Sequence, residues 1–451
     1  MSGPGLPLIP CMHKLLNTSN LNFTDNTKDL SPRLKKIIPN ASKDFINWLV
    51  GFTDAEGFFY ISLDTRRTSL NIGFKFSIEL HLDDIEVLHK IAQTLGVGGV
   101  KLVKNRNSAV FSVYKFEDFV RVILPIFQEF PLQTTKGLDF TSFSEAVQIK
   151  LNTESEGSRK RISDSDLIKI QNLKANMNSA RITIDKKQIA DLTNKISINK
   201  WWLLGFVEGE GTFGYKHLVP YFQIAQHEKN HFVLKAIETY LSELFKQDPD
   251  SIGCQEFSVK YALNSRTGVY SMTVSKIDTL FSCIVPYFES MTFLSRKVLD
   301  YQYWVITVVI HKYGYYYLPE GKKLALQISS ATNKYRYTTN TKNNVEFPSP
   351  AAISKLLDNT PPFDVTTTSS HFDLVRNFTI SKGGRKGFTV YIYCVESSET
   401  GVKKELKGSP FSTYGAGHVA IGLKPASRVA GRYIDTGKAY KDRYLFSSVP
   451  L

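Results

Sequence analysis

Two carboxylates occupy matching places in two near-copies of one nine-residue string. Glu56 stands next to last in LVGFTDAEG (Leu49 to Gly57), and Glu210 stands next to last in LLGFVEGEG (Leu203 to Gly211). The acids lie 154 positions apart, about one domain length. In both copies small residues recur four apart, Gly51 and Ala55, then Gly205 and Gly209. On helices, such faces let two segments approach more closely than the usual ~8–10 Å. Packed face to face, these helices would bring Glu56 and Glu210 together at their C-terminal ends. Two carboxylates there repel one another and meet the negative end of each helix dipole. A hard divalent cation relieves this, and oxygen ligands with open positions suit Mg²⁺. Such ions activate water and stabilise the charge developing on phosphate oxygens. Matched acids on matched halves therefore point to metal-dependent chemistry on a pseudo-symmetric substrate, for which duplex nucleic acid is the candidate.

The elements that must position these acids are duplicated too. FSIELHLDD (Phe76 to Asp84) matches FQIAQHEKN (Phe222 to Asn230), and Val87-Leu88 matches Val233-Leu234. The stretch from Val113 to Phe140 matches that from Val274 to Tyr301 without a gap. Two units are too few for a solenoid, so the pattern predicts a pair of pseudo-twofold-related half-domains. A helix starts at Lys43, and Gly57 is placed to end it in a left-handed cap. FFYISL and SLNIGFKFSIEL alternate as strands. Ile72, Phe74, Phe76 and Ile78 face one side; Asn71, Lys75, Ser77 and Glu79 face the other. IEVLHKIAQTLG reads as an amphipathic helix, GGVKLVKNRNSAVFSVYKF as a hairpin, and FEDFVRVILPIFQEF as another helix. The fold class is α+β, each half an αββαββα unit with a polar, basic outer sheet face.

These readings divide the chain into an N-terminal extension or loose arm at 1–42, a first half-domain at 43–150, a linker at 151–199 and a second half-domain at 200–325. A Thr/Asn/Pro-biased spacer follows at 326–400, and a small, basic, helical module closes the chain at 401–451. The net charge of +14 favours a polyanionic partner. Four cysteines (Cys11, Cys254, Cys283, Cys394) form no CxxC pair, which argues against a zinc site or disulfide scaffold and suits a reducing compartment. The longest aliphatic run, Val305 to Ile310, is far short of the ~18 residues of a membrane span. HEKNH (His227 to His231) fits the zinc-protease pattern HExxH. It falls at an expected strand-to-helix junction, though, and its repeat partner HLDDI lacks the second His.

The paired strings resemble the two signature helices of a monomeric LAGLIDADG homing endonuclease over about residues 43 to 325. The resemblance implies two half-domains whose sheets form a saddle over double-stranded DNA. It implies metal-binding acids at Glu56 and Glu210, which would bind Mg²⁺, with the active site at the base of the two helices. Lys136 and Lys297, each in KxLD(F/Y), resemble the basic residue near the scissile phosphate. Gln226 matches a polar, solvent-orienting residue, while its repeat partner is Leu80. Base readout would fall to the outer strand faces. In half one these offer Tyr60, Ser62, Arg66, Asn71, Lys75, Ser77 and Lys101; in half two, Lys216, Tyr221, Gln223, Lys260, Asn264 and Arg266.

Residues 409–446 resemble a nuclease-associated modular helix-turn-helix repeat. Nine Lys or Arg face three acids between Lys403 and Arg443, with Ser427, Arg428 and Arg432 expected on the second helix. The implied activity is metal-dependent double-strand cleavage of a long site, by a protein whose host is a mitochondrial or other organellar group I intron. An RNA maturase acting on that intron RNA and a non-catalytic DNA-binding protein are the alternatives.

Overall fold

The computed structural model describes residues 29–64, 71–155, 162–181, 183–246, 257–332, 346–381, 389–395 and 403–451. These fall into two compact units. One runs to Val308 and includes Thr332; the other takes Val309–Ala331 and the described residues from 346 on.

In the first unit one order of elements occurs twice. Half one consists of α1 (Lys43–Glu56), β1 (Gly57–Asp64), β2 (Asn71–His81), α2 (Ile85–Leu95), β3 (Gly99–Leu102), β4 (Ser108–Val113), α3 (Leu124–Glu129) and α4 (Lys136–Ser155). Two helices, α5 (Asp164–Ala175) and α6 (Lys186–Lys195), follow it. Half two consists of α7 (Lys200–Glu210), β5 (Gly211–Lys216), β6 (Val219–His227), α8 (His231–Lys246), β7 (Lys260–Asn264), β8 (Val269–Val274), α9 (Val285–Glu289) and α10 (Lys297–Lys312). The antiparallel sheets run β1-β2-β4-β3 and β5-β6-β8-β7. Even a local irregularity is repeated, because a π-helical turn precedes α3 at Phe119–Ile123 and α9 at Leu280–Ile284.

The alternation in β2 sends Ile72, Phe74, Phe76 and Ile78 into the core, none more than 5% exposed. Phe59 stacks on Phe76 at 5.0 Å and meets Phe127 edge-on at 5.5 Å. Their repeat partners do the same: Phe213 lies 5.5 Å from Phe222 and edge-on to Phe288 at 5.6 Å. Each such ring contributes about 1.5–3 kcal/mol by leaving water.

What joins the halves is the crossing of α1 and α7. Ser42 caps α1 by accepting from Phe45 N. Asn199 caps α7 by accepting from the backbone N–H of Trp201 and Trp202, and its side chain donates to Asn47 Oδ1 at 3.0 Å. A Cβ on Gly51 would lie 1.9 Å from the Trp202 carbonyl oxygen, and one on Gly205 would lie 2.1 Å from that of Trp48. The backbones touch, and only glycine fits.

Several expectations are corrected. Residues 29–38 are no loose arm: Leu30, Leu34 and Ile38 are buried, and Ser31 Oγ donates to Glu129 at 2.6 Å. The boundary at 150 falls inside α4, which continues to Ser155. Cys283 is disulfide-bonded, so wide spacing argues only against a compact cysteine framework. The boundary at 325 falls inside α11 (Pro319–Ala331), and 326–400 is no plain spacer. It holds α12 (Pro350–Leu357), α13 (His371–Ser381) and β9 (Tyr391–Val395).

The C-terminal module is α/β rather than helical, because β9 is its central strand. β10 (Lys403–Glu405) and β11 (Tyr444–Ser447) flank β9, with α14 (Tyr414–Ala420) and α15 (Val429–Tyr433) between them in sequence. Val390, Ile392, Ala430 and Phe446 form its core. His418, fully buried, accepts from Ala430 N at Nε2, 2.9 Å away. Lys322 of α11 holds Asp435 of the module at 2.9 Å.

Substituting alanine at Gly205 should lower stability by about 3 kcal/mol, at the upper end of overpacking costs. Gly99→Ala, where an added Cβ meets nothing within 4 Å, should change it by less than about 0.5 kcal/mol. Thermal unfolding of the two variants checks the contrast.

Candidate active site

Each acid is fixed by a helix that becomes a strand without a loop. Gly57 (φ −75°, ψ 152°) and Gly211 (φ −75°, ψ 149°) are extended, which corrects the expected left-handed cap. Strand pairing, Gly57 with Ile78 and Gly211 with Ile224, ends each helix. Glycine is required there for closeness instead, since a Cβ would lie 2.5 Å from Thr53 Cγ2 or 2.6 Å from Val207 Cγ1.

Glu56 and Glu210 are brought together. A Cβ on Gly209, next to Glu210, would sit 3.3 Å from Glu56 Oε1. Both carboxyls are held above the usual carboxylate range, chiefly by burial. Lys136 and Lys297 pull each back down, while the charge of Asp84 raises Glu56 and that of Glu56 raises Glu210. Both line a cavity of about 620 Å³, together with Glu79, Leu80, Asp84 and Lys297. Hard oxygen donors crowded at two negative helix ends fit a divalent cation. Among the described residues no three His, Cys, Asp or Glu form a cage, so substrate and water would complete the coordination.

Lys136 and Lys297 sit at the same helix ends. Lys136 Nζ donates to the Thr53 and Ala55 carbonyls at 2.9 and 3.3 Å. Lys297 Nζ donates to those of Val207, Gly209 and Gly211 at 2.9, 3.3 and 2.6 Å. Val207 O already accepts from Gly211 N, so at the end of α7 Lys297 supplies the donor for Gly209 and places its charge there. Burial lowers the Lys136 pKa, against the raising pull of neighbouring acids. Gln226, on the inner face of β6, draws the Glu210 pKa down as a side-chain donor.

Sequence reasoning missed the buried acids two positions earlier. Asp54 accepts from the backbone N–H of Gln133 and Thr134, at 2.8 and 3.0 Å, and from Trp202 Nε1 across the interface at 2.9 Å. Glu208 mirrors it, accepting from Leu294 N, Ser295 N and Trp48 Nε1 at 3.0, 2.6 and 2.9 Å. Each acid therefore ties its own helix to the loop carrying the next lysine, and both to the other half. The signal was present, as an acid precedes the Glu by two in both strings and a Trp follows the helix start in both.

The expected readout residues divide. Tyr60, Ser62, Lys75, Ser77 and Lys101 share the outer face of the first sheet by register, as Lys216, Tyr221, Gln223, Lys260 and Asn264 do on the second. Ser77 is only 5% exposed because it is short and central, so it offers little to a ligand. Arg266 lies in the β7–β8 turn. Arg66 and the Asn71 side chain fall outside the described residues. In the module only Arg432 is on α15; Ser427 lies in the preceding turn and Arg428 is the N-cap residue, because the helix is just five residues long. HEKNH spans the end of β6, a 3-10 turn and the start of α8, which breaks the one-turn spacing of zinc-binding histidines.

The LAGLIDADG endonuclease model matches residues 49–147 and again 203–308. The LAGLIDADG endonuclease domain thus occurs twice in the chain. Among relatives of the LAGLIDADG chain, the uncharacterized mitochondrial protein RF1 of Saccharomyces cerevisiae is 24% identical, covering 90% of this chain and 82% of its own length. The probable intron-encoded endonuclease Cox1-I1b of Schizosaccharomyces pombe is 27% identical, covering 60% and 67%. The probable intron-encoded endonuclease 3 of Neurospora crassa is 25% identical, covering 56% of this chain and about half (48%) of its own. I-SmaMI, solved bound to uncleaved DNA target with calcium ions, shares the fold at a TM-score of 0.53 and 21% identity, covering 64% of this chain and 99% of its own. No helix among the described residues is long and apolar enough to cross a membrane.

The raised carboxyls give a pH signature. A folded-state pKa above the unfolded one stabilises below the ordinary carboxylate range, and that contribution is lost as pH rises through the folded pKa. Without divalent ions, Glu56→Gln/Glu210→Gln should therefore unfold at a higher temperature than wild type at pH 8. The gap should close as pH falls to about 4, the ordinary carboxylate range. A constant gap across that range would refute the electrostatic origin.

Proposed function

We propose that this chain is a site-specific DNA endonuclease that cuts both strands of a long recognition site, acting in the homing of a mitochondrial group I intron with Mg²⁺ as its metal. The observation carrying this reading is the crowding of Glu56 and Glu210 at the adjoining ends of α1 and α7. A regulator or an RNA maturase has no use for two acids buried against one another at a cost in stability, so the pair favours cleavage over both. The relatives named as intron-encoded endonucleases support the same reading.

Glu56 and Glu210 would hold the metal, which supplies activation of water and charge neutralisation at the phosphate. Lys136 and Lys297 keep positive charge beside the acids, where an approaching phosphate adds negative charge. Gln226, directed at Glu210, is placed to orient solvent. Around this centre the outer faces carry Tyr60, Lys75, Lys101, Lys216, Gln223, Lys260 and Asn264 towards base edges and phosphates. The protein works as a monomer, because one chain contains both acids. In the C-terminal module, exposed Lys424, Arg428 and Arg432 cluster around the α14–α15 turn and would add phosphate contacts.

Incubating the protein with the uninterrupted target gene and Mg²⁺, then mapping the ends, tests the activity directly. Glu56→Gln or Glu210→Gln should lower double-strand cleavage by at least about 100-fold, the usual cost of losing a main electrostatic group. DNA affinity should change little, and wild-type cleavage by the double variant would refute the mechanism. Replacing Lys424, Arg428 and Arg432 together by Gln should flatten the dependence of log affinity on log salt by roughly 3, at about 0.9 per phosphate contact. Cutting should persist; an unchanged slope would make the module structural.

A further inference from the structure

Two hydrogen bonds lead to Gln226, the residue that faces Glu210, and the second has no counterpart beside Glu56. Thr135 N donates to Asn230 Oδ1 at 3.0 Å, and Asn230 Nδ2 donates to Gln226 Oε1 at 2.9 Å. An amide has one oxygen and one NH₂, so engaging the Gln226 oxygen leaves its NH₂ to face Glu210, whose pKa it draws down as a donor. Both Asn230 and Gln226 are at least nine-tenths buried, which keeps water from competing for the same partners.

The repeat places Leu80 where Gln226 stands and Asp84 where Asn230 stands. Leu80 has no polar atom. Asp84 accepts from Arg296 N at 2.6 Å, the pseudo-twofold equivalent of the Thr135 bond, but an ionised carboxylate has no proton to pass on. Glu79, which lines the cavity, is likewise matched by uncharged Ala225. Half one thus keeps the cross-half brace and loses the donor.

We infer that Asn230 is a positioning residue that fixes the Gln226 amide towards Glu210, and that this one-sided bond makes the two strands break at different rates. The inference rests on the nuclease reading above. The half centred on Glu210 has a fixed amide to order the solvent around its carboxylate; the half centred on Glu56 has a methyl-ended side chain and added negative charge. The strand served by Glu210 is cut first, and a singly nicked duplex accumulates.

The test is single-turnover cleavage of a target duplex labelled differently on each strand, alongside Ca²⁺ titration by calorimetry and thermal unfolding. Wild type should cut one strand at least about tenfold faster. Asn230→Asp keeps the acceptor for Thr135 N, yet sets an acceptor against Gln226 Oε1 and forces the amide to turn. It should slow the fast strand about tenfold while leaving the slow strand within about twofold. Its unfolding temperature should stay near wild type, and its Ca²⁺ affinity should not fall, because the added carboxylate attracts the ion. Gln226→Leu, which copies Leu80, should slow the same strand without depending on the Asn230 substitution. Asn230→Gln, which restores an amide donor, should recover part of the fast-strand rate. Equal strand rates in wild type, or equal slowing of both strands in both variants, would overturn the inference while leaving the nuclease reading intact. Failure of wild type to cut either strand with any divalent ion would overturn both.

Discussion

The contact on which the rest depends is backbone against backbone, where Gly51 and Gly205 let α1 and α7 touch. Helices held a side chain apart would leave Glu56 and Glu210 in separate solvent pockets. At this spacing their charges act on each other, burial raises both, and the two helix ends add negative potential. The arrangement is electrostatically uphill. It persists because hydrophobic cores on either side, and indole bonds from Trp48 to Glu208 and from Trp202 to Asp54, hold the crossing from both directions. A cation entering there would release the energy stored in this way, so affinity for metal would be built from packing.

That crossing also explains the lysines. A helix that stops at a strand leaves its last carbonyls short of donors, and a buried carbonyl without one costs about 1–3 kcal/mol. Lys136 and Lys297 reach the last-turn carbonyls of Ala55 and Gly209 from the starts of α4 and α10, while Asp54 and Glu208 fix the loops just before them. One set of bonds thereby satisfies the helix ends and parks two cations beside two anions.

Much of this was legible in the sequence because duplication makes each reading count twice. Element order, the core-facing residues of β2 and the glycine-lined helix face all follow from periodicities that tertiary structure obeys. The left-handed cap at Gly57 was not legible, because a glycine after a helix fits both that geometry and tight packing, and only Thr53 decides between them. Asp54 and Glu208 were overshadowed by the acids two places on, since sequence gives no burial. β9 was hidden because a central strand needs partners, and these lie beyond the Thr/Asn/Pro-biased stretch that precedes it. A five-residue α15 left Arg428 outside because short helices begin where their caps allow, a matter of one or two positions.

The bonds across the pseudo-twofold have a historical consequence. Trp48 to Glu208 is answered by Trp202 to Asp54, and Arg296 to Asp84 by Thr135 to Asn230. Every one of these joins homologous positions, so a single ancestral half could have made them all with a second copy of itself, as an isologous dimer does. In such a dimer any mutation appears on both sides at once. Leu80 opposite Gln226, or Asp84 opposite Asn230, is impossible there. Joining two copies in one chain freed each half to vary alone, and a one-sided target could then be followed by a one-sided protein.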